Sequence, residues 1–373
     1  MVLYIRKGEN AMKEKRLLTP AVITASAVCG TSFLIYIFAR MFPAFAEWWA
    51  RYPSQILRGV LAAFTNVFPF SVGEMVLLLL IPAAVLYVLA SNKYICDEDG
   101  KKYFRALRPL IIIILVLASV FFGVFGPCYF RNTLDENLGL QKEKVTAQEL
   151  KYTAEQIVNE INSLSVKADS SGATVIPCGY NELVDDIKAS FKDYCEKNEY
   201  ISWFDSKPKL VSLSPVMTYT HISGVYSFFT GEANINFNYP DFVMPFTIAH
   251  EMSHQRGIAR EDEANFLAFL VCINSENDYV RYSGLFNMLE YLLSALNKAD
   301  KTLYKEFVQE SVTQNIRSEL TAYSKFFEKY SNSAASQVAG SINNSYLESQ
   351  GQKAGSASYG LVVDLAVAYY KNK

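Results

Sequence analysis

The sequence predicts an α+β protein that is mostly helical, with three N-terminal transmembrane helices followed by a domain that has a small β-sheet and a helical C-terminal part. Three observations favour this class: long uncharged apolar stretches in the first third of the 373 residues, alternating aromatic and β-branched residues around 209–240, and helical patterning from Pro245 onward. The formal net charge of −2 provides no basic surface for nucleic acid, so we expect no such partner.

Three stretches without charge are long enough to cross a bilayer, which takes roughly 20 apolar residues. They cover about residues 20–40, 74–92 and 109–130. We therefore expect a membrane domain at 1–130 and a second domain at 131–373. The shorter apolar stretch Gly59–Gly73 is interpreted as an interfacial or re-entrant piece.

Charge bias predicts the orientation of these spans. Lys and Arg residues are concentrated in the N-terminal tail and in the loop before the third span, which places both in the cytoplasm. An odd number of spans then puts 131–373 outside the cytoplasm. We expect a multi-pass protein of the cell membrane, with the lipid bilayer as a partner. A cleaved signal peptide ending near Ala46 is the alternative for the first stretch, and it would leave 131–373 on the same side.

Helices are predicted for most of the second domain. Thr146 and Glu149 form a capping-box pattern before an amphipathic run. Alternation predicts strands at 209–214 (KLVSLS) and 233–238 (ANINFN). Further helices are expected at 181–197, 245–255, 260–272, 279–297 and 303–330, and in LVVDLAVAYY near the C-terminus.

The segment His250–His254 reads HEMSH, an HExxH pattern on a predicted helix. Residues four apart lie one turn apart on the same helix face, so both imidazoles can bind one tetrahedral Zn²⁺. Glu251 lies beside them, where it can take a proton from a zinc-activated water and deliver it to a leaving amine. Two of the three histidines in the chain fall in this pattern. The alternative is a helix with two solvated or core histidines.

A third protein ligand is expected shortly after this helix. The segment EDEAN, which begins at Glu261, resembles the ExxAD or ExxAN segment of gluzincin-type peptidases, in which the first Glu binds zinc and the residue four positions later hydrogen-bonds a zinc-ligand His. The resemblance implies Glu261 as the ligand and Asn265 as the hydrogen-bond partner. Glu263 is the alternative ligand. Gly257 would let the chain reverse after the helix. A solvated acidic first turn of a helix is the other interpretation.

His221 and the strand ANINFN are weaker candidates. His221 could stabilise an oxyanion or contact substrate, although a single histidine is more often structural. The strand is expected at the edge of the sheet, where an extended peptide can bind by strand addition. Its alternative interpretation is plain sheet core.

Several stretches together resemble an uncharacterised bacterial family of membrane-anchored HExxH proteins, catalogued as a domain of unknown function. They are ISGVYSFFTGEANINFNYP, PFTIAHEMSHQRGIAREDEANFLAFL, NDYVRYSGL, NNSYLESQGQ and SYGLVVDLAVAYY. The resemblance covers nearly the whole chain. It implies a zincin-like, zinc-peptidase-like domain outside the cytoplasmic membrane and does not imply a substrate.

The expected activity is hydrolysis of peptide bonds by a membrane-anchored zinc metallopeptidase, with one Zn²⁺ per chain held by His250, His254 and Glu261. The substrate would be a peptide or protein from the extracytoplasmic space or the membrane surface. The metal site is expected outside the bilayer, because PFTIAHEMSHQ lies among polar sequence. Two other classes remain: a ligand-sensing or scaffolding membrane protein with a structural or vestigial zinc site, and a zinc amidase acting on cell-wall amide bonds.

Overall fold

The computed structural model describes residues 19–92, 106–169, 173–331, 333–350, 352 and 361–373. The charged N-terminal tail and most of the loop before the third span, on which the predicted orientation rests, lie outside the described residues. The described part of the chain is mostly helical and contains a small sheet, as predicted.

Three helices are long and apolar enough to cross a membrane. Helix α1 covers Pro20–Met41 and α4 covers Val72–Ser91. The third span, Arg108–Phe130, consists of α5 (Arg108–Val120), a π turn (Phe121–Phe125) and a 3-10 turn (Gly126–Phe130). These bounds agree closely with the predicted stretches, and they indicate a membrane protein.

Two short helices lie between the first and second spans. Helix α2 covers Pro43–Arg51 and α3 covers Pro53–Thr65. Each begins with a proline, whose fixed φ suits the first helical position and whose missing N–H has no helical partner there. With 9 and 13 residues, neither can span a bilayer. The stretch predicted as an interfacial piece therefore forms the end of α3 and the loop to α4.

The remaining helices build the domain after the spans. At α7 the predicted capping box is present, with Thr146 and Glu149 bonding each other's backbone N–H groups. The bounds in chain order are α6 Leu134–Leu138, α7 Ala147–Asn162, α8 Tyr180–Lys197, α9 Ser214–Met217 with a 3-10 turn at Thr218–Thr220, α10 Val243–Gln255, α11 Glu261–Ile273, α12 Asp278–Ala299, α13 Lys301–Glu310, α14 Gln314–Glu328, α15 Ala334–Ser349 and α16 Leu361–Asn372.

The single helix predicted at 303–330 is divided into α13 and α14. Between them Val312 is buried, and its carbonyl accepts a hydrogen bond from Nε of Arg317 at 2.9 Å. Thr313 is the N-cap residue of α14. Apolar periodicity continues across this break, which is why the sequence pattern did not reveal it.

The sheet has three strands in the order β1–β3–β2, namely β1 Lys209–Leu210, β2 Gly224–Ser227 and β3 Glu232–Ile235. Strand β1 runs parallel to β3 and β2 runs antiparallel to it. The prediction that ANINFN is the edge strand is therefore wrong: it supplies the central strand, and β2 lies at the edge. KLVSLS contributes only two strand residues, because Ser214 already begins α9.

The helix that carries the HExxH pattern is a central element of the core. Helix α10 packs against α11, α12, α8 and β3. Ile248, Ala249 and Met252 on α10 are fully buried in the largest apolar cluster. Cys178 and Cys195 contact the same cluster as free thiols. The packing therefore fixes α10 without help from a disulfide at these two cysteines.

Buried polar contacts join the spans to the domain. Arg131 forms an ion pair with Glu47 of α2, at 2.9 Å from Nε to Oε2. Glu232 in β3 accepts hydrogen bonds from the backbone N–H groups of Val72 (3.0 Å) and Gly73 (2.7 Å) in the first turn of α4, where the helix dipole favours a carboxylate. The predicted boundary between 130 and 131 falls at this tightly packed junction.

Candidate metal centre

Helix α10 brings both histidines of the HExxH pattern together. Their ring centroids are 4.6 Å apart. After His254 the chain turns at Gly257, which has a φ of 86°. The N–H of Gly257 donates to the carbonyl of His254 (2.9 Å), and the N–H of Ile258 donates to that of Ser253 (3.1 Å). These two bonds form a Schellman motif, in which glycine takes the left-handed conformation. The chain therefore reverses directly after the second histidine.

The reversal places Glu261, the first residue of α11, against both imidazoles. Its Oε2 is 3.4 Å from Nε2 of His250, and its Oε1 is 3.5 Å from Nε2 of His254. One ligand atom from each of the three residues lies within 4.8 Å of the others. Ligands bound to a tetrahedral zinc at about 2.0–2.1 Å are about 3.3 Å apart. The donor set of two nitrogens and one carboxylate thus fits a single zinc ion.

A backbone carbonyl selects the free nitrogen of His254. Its Nδ1 donates to the carbonyl of Ile258 at 2.7 Å, which leaves the lone pair of the neutral ring on Nε2, facing Glu261. Burial acts to lower the pKa of His254, but the Glu261 carboxylate outweighs it and raises the pKa to about 9. Burial acts to raise the pKa of Glu261, but the two imidazoles hold it well below its usual range. The cluster therefore favours a bound positive charge.

Asn265, predicted to hydrogen-bond a zinc-ligand histidine, lies one turn after Glu261 on α11 and is buried. Among the described residues, its Nδ2 has no hydrogen-bond partner, and neither does Nδ1 of His250. The ring of His250 is thus oriented by packing, whereas that of His254 is also held by a hydrogen bond. The role of Asn265 stays a prediction.

Two other predicted residues lie outside the cluster of ligand atoms. Glu263 faces the segment after the third span, where its Oε1 is 3.0 Å from Nε of Arg260 and accepts the N–H of Leu134 at 3.0 Å. His221, with a φ of 59°, has its Nε2 2.9 Å from the carbonyl oxygen of Tyr330. The first acidic residue of α11, not the third, therefore meets the imidazoles, whereas His221 contacts the backbone of Tyr330.

Glu251 is buried beside the two histidines, with 4% of its surface exposed. The backbone N–H of Tyr226 in β2 donates to its carboxylate, while Oε2 has no partner among the described residues. Burial raises the pKa of this carboxyl. A Cβ on Gly224 would lie 2.7 Å from its Oε1, so only glycine lets the edge strand pass this close. A carboxylate with one available oxygen and raised basicity is suited to proton transfer.

Aromatic residues from distant parts of the chain line the centre. The ring of Phe125, in the third span, packs edge-on against His254 with centroids 6.3 Å apart. The hydroxyls of Tyr129 and Tyr346 are 3.1 Å apart, and both interact electrostatically with Glu261. Burial raises the pKa of Tyr346 to about 12, so its hydroxyl keeps its proton at neutral pH. These residues were not predicted from the sequence, because nothing in their local patterns links them to the HExxH helix.

Two buried arginines support the C-terminal end of α10. Arg58 of α3 donates to the carbonyls of Gln255 (3.1 Å) and Arg256 (3.3 Å). The guanidinium of Arg256 lies over the rings of Phe191 (4.5 Å) and Trp203 (4.8 Å), and burial lowers its pKa to about 10. Positive groups near the carbonyl end of a helix are favourable. A membrane-side helix thus holds the helix that carries the histidines.

A family model matches most of the chain. It is described as "Protein of unknown function (DUF3810)" and matches residues 50–367. The chain belongs to the DUF3810 family. No curated protein and no solved structure matches it. The DUF3810 match begins in α2 and includes Arg58, the sheet and the cluster of His250, His254 and Glu261, so the candidate metal centre and its membrane-side support lie within one family domain.

Proposed function

We propose that this DUF3810 chain is a membrane-anchored, zincin-like zinc metallopeptidase. The observation that carries the proposal is the convergence of His250, His254 and Glu261, with the free carboxylate oxygen of Glu251 buried beside them. A structural zinc site uses four protein ligands and needs no neighbouring base, whereas a catalytic site keeps one position for water or substrate. Three ligands and an adjacent carboxylate match the catalytic kind.

Each residue of the candidate centre would have its own role in peptide hydrolysis. His250, His254 and Glu261 would hold one Zn²⁺, which supplies Lewis-acid polarisation of the scissile carbonyl and lowers the pKa of a water. Glu251 would take a proton from that water and return it to the leaving amine. The Tyr346 hydroxyl would donate to the developing oxyanion. The amide C–N bond breaks, the acyl carbon gains the hydroxyl, and the amine nitrogen gains the proton.

Strand β2 would position an extended substrate. One edge of β2 pairs with β3, and within the described residues its other edge pairs with no strand. Gly224 in β2 contacts Glu251, and the next residue, Val225, is exposed. A peptide that adds to this edge would pass its backbone beside the proposed base, with alternate side chains available for recognition.

The proposed location is the cell membrane, with the N-terminus in the cytoplasm and the metal centre on the opposite side. The charge bias and the three candidate spans support this orientation. An alkaline phosphatase fused after Lys373 should be active, because that enzyme folds only outside the cytoplasm. Activity of a cytoplasmic reporter at the same position would contradict the orientation.

The test uses the full-length chain in detergent, with metal content and turnover of a degenerate fluorogenic peptide library as readouts. We expect about one zinc per chain, retained by Glu251→Gln and lost by His250→Ala. Glu251→Gln should lower turnover by roughly 10²–10⁴-fold, the usual contribution of a general base. Glu155→Gln on α7, remote from the cluster, is the control and should change neither readout.

Two other outcomes would favour the rival functions. If Glu251→Gln binds zinc and leaves a cellular phenotype of the chain intact, that result favours a ligand-sensing or scaffolding role. The Glu47–Arg131 ion pair would then connect the domain to the spans. If the chain hydrolyses amide bonds of cell-wall fragments and no peptide library, the zinc amidase alternative gains.

A further inference from the structure

The last ten residues of the third span are enclosed by protein. Helix α5 gives way to a π turn at Phe121–Phe125 and a 3-10 turn at Gly126–Phe130, and most of these residues are buried, whereas Ile114 in α5 is exposed. Irregular backbone at membrane depth is tolerated only where protein covers it. The domain supplies part of that cover, since Phe228 and Tyr346 pack against Phe121.

This enclosed segment lies at the depth of lipid. Tyr36 of α1 packs against Phe122 and Phe130, with centroids 5.2 Å and 5.3 Å apart, so this part of α1 is level with the enclosed segment. At the same level α1 exposes Leu34 (68%) and Met41 (65%) on its outward face. Large apolar side chains exposed on a spanning helix are solvated by lipid. The domain therefore reaches below the surface of the membrane on this side.

The metal centre lies at this depth. Phe125, whose ring contacts His254, is five residues before the end of the span, which corresponds to about 7–10 Å of helix. The side-chain oxygen of Gln350, just after α15, accepts a hydrogen bond from the hydroxyl of Tyr36 at 3.0 Å. The sequence places the HExxH helix in polar surroundings, but the fold brings it beside the membrane.

Helix α3 separates the centre from lipid on one side. Four side chains spaced four residues apart form one face that begins at the residue before α3 and runs along the helix. All are more than half exposed: Tyr52, Ile56, Val60 and Phe64. The opposite face carries the buried Arg58, which holds the end of the HExxH helix. This exposed stripe continues into the apolar surface of α4, so the bilayer is the solvent that fits it.

Helix α15 provides an apolar path toward the centre. Val338 and Ile342 are both more than half exposed, and Tyr346 follows at the same four-residue spacing. Residues at this spacing share one helix face. The face therefore runs from exposed aliphatic side chains to the tyrosine hydroxyl that interacts with Glu261. An apolar segment lying along α15 would place the polypeptide that follows it beside the metal ligands.

We infer that the centre acts on polypeptides anchored in the same bilayer, at a bond close to the anchor, and this inference rests on the proposed peptidase function. An anchored chain meets the site by diffusion in the membrane and presents its junction with the anchor at the depth of His254. A water-soluble peptide has to leave water to reach the same depth. The anchor also raises the effective concentration of the substrate at the site.

The test compares two substrates on the full-length chain in phosphatidylethanolamine–phosphatidylglycerol vesicles. One is a degenerate fluorogenic decapeptide library, and the other is the same library with a dipalmitoyl anchor. At equal bulk concentration we expect at least tenfold faster cleavage of the anchored library. Equal or faster cleavage of the soluble library overturns the inference and keeps the peptidase. Cleavage of neither overturns the proposed function and the inference with it.

Variants of α15 separate site recognition from simple partitioning of the anchored library into the membrane. Ile342→Lys should lower the ratio of anchored to soluble turnover at least fivefold, because a charge interrupts the apolar face. Gln337→Lys, exposed on another face of α15, should keep the parent ratio. An unchanged ratio in Ile342→Lys overturns the proposed path.

A depth measurement needs no activity. A bimane label on Ile342→Cys should be quenched by lipids that carry a nitroxide near the headgroup, relative to the parent chain labelled alike. The same label on Lys305→Cys in α13 should not be quenched. Equal quenching at the two positions contradicts the depth that we assign to α15.

Discussion

At the scale of single residues, one backbone carbonyl decides which nitrogen of His254 can bind a metal. Ile258 lies four residues after His254, and the Schellman turn at Gly257 brings its carbonyl within 2.7 Å of Nδ1. A histidine ligand usually has its second nitrogen fixed in this way, which orients the ring and sets the tautomer. The turn therefore prepares His254 for a metal before Glu261 completes the cluster.

The hydroxyl of Tyr346 provides a prediction at the same scale. Tyr346→Phe removes one hydrogen-bond donor near Glu261 and keeps the aromatic ring, so zinc content should stay that of the parent. Turnover of the peptide library should fall by roughly 10²–10³-fold, as when an oxyanion donor is removed. The loss should appear in kcat rather than KM, because the donor acts on charge that develops in the transition state.

Tyr304→Phe in α13 is the matched control, since Tyr304 packs on the main core away from the metal ligands. It should leave kcat within twofold of the parent. If Tyr346→Phe keeps full kcat and Tyr129→Phe loses it, the other member of the hydroxyl pair is the donor. If neither variant affects kcat, neither tyrosine hydroxyl takes part in the reaction.

At the scale of helices and strands, the sequence predicted those features of the site that depend only on residues close together in the chain. The HExxH spacing, the turn at Gly257 and Glu261 all lie within one short segment, and the structure brings them together. The tyrosine pair could not be predicted, because Tyr129 and Tyr346 meet only after the third span and α15 have packed. The edge strand was misplaced for the same reason, since strand order depends on pairing between distant segments.

Gly257 offers a prediction about the link between α10 and α11. Gly257→Ala adds a Cβ to a residue with positive φ, which costs about 1–2 kcal/mol. The new Cβ would also lie 2.6 Å from the guanidinium of Arg58, which is buried and held by several hydrogen bonds and cannot move away easily. We expect a lower melting temperature and weaker zinc binding, because the Ile258 carbonyl would shift from His254.

Gly340→Ala in α15 is the glycine control. A Cβ there meets nothing within 4 Å, so the change should raise stability by roughly 0.5–1 kcal/mol, as expected for a helix interior. Thermal unfolding with and without added zinc measures both variants. A Gly257→Ala chain that binds zinc as tightly as the parent would show that the Schellman turn does not position the ligands.

At the scale of the whole molecule, the centre depends on parts of the chain that are far apart in sequence. The domain supplies the three candidate metal ligands, the third span supplies Phe125 and Tyr129, and α3 supplies Arg58 behind the end of α10. The Glu47–Arg131 pair is buried, so separating its two charges would leave each without compensation. The spans are therefore part of the candidate centre and do not only hold the chain in the membrane.

The pH dependence of global stability gives the last prediction. Glu290 lies in the middle of α12, and burial raises its pKa from 4.5 to about 7. A carboxyl with a raised pKa keeps its proton to a higher pH in the folded state than in the unfolded state. Below pH 4.5 both states are protonated, so the ionisation of Glu290 does not affect stability there. Stability then falls as pH rises toward 7, by at most about 3 kcal/mol in total. Glu290→Gln removes this loss, because the amide does not ionise.

The melting temperature of Glu290→Gln should therefore equal that of the parent near pH 4.5 and exceed it by several degrees at pH 8. The exposed Glu306→Gln in α13 is the control and should follow the parent at both pH values. An equal shift of Glu290→Gln at both pH values would mean that packing, and not ionisation, sets the effect of this residue.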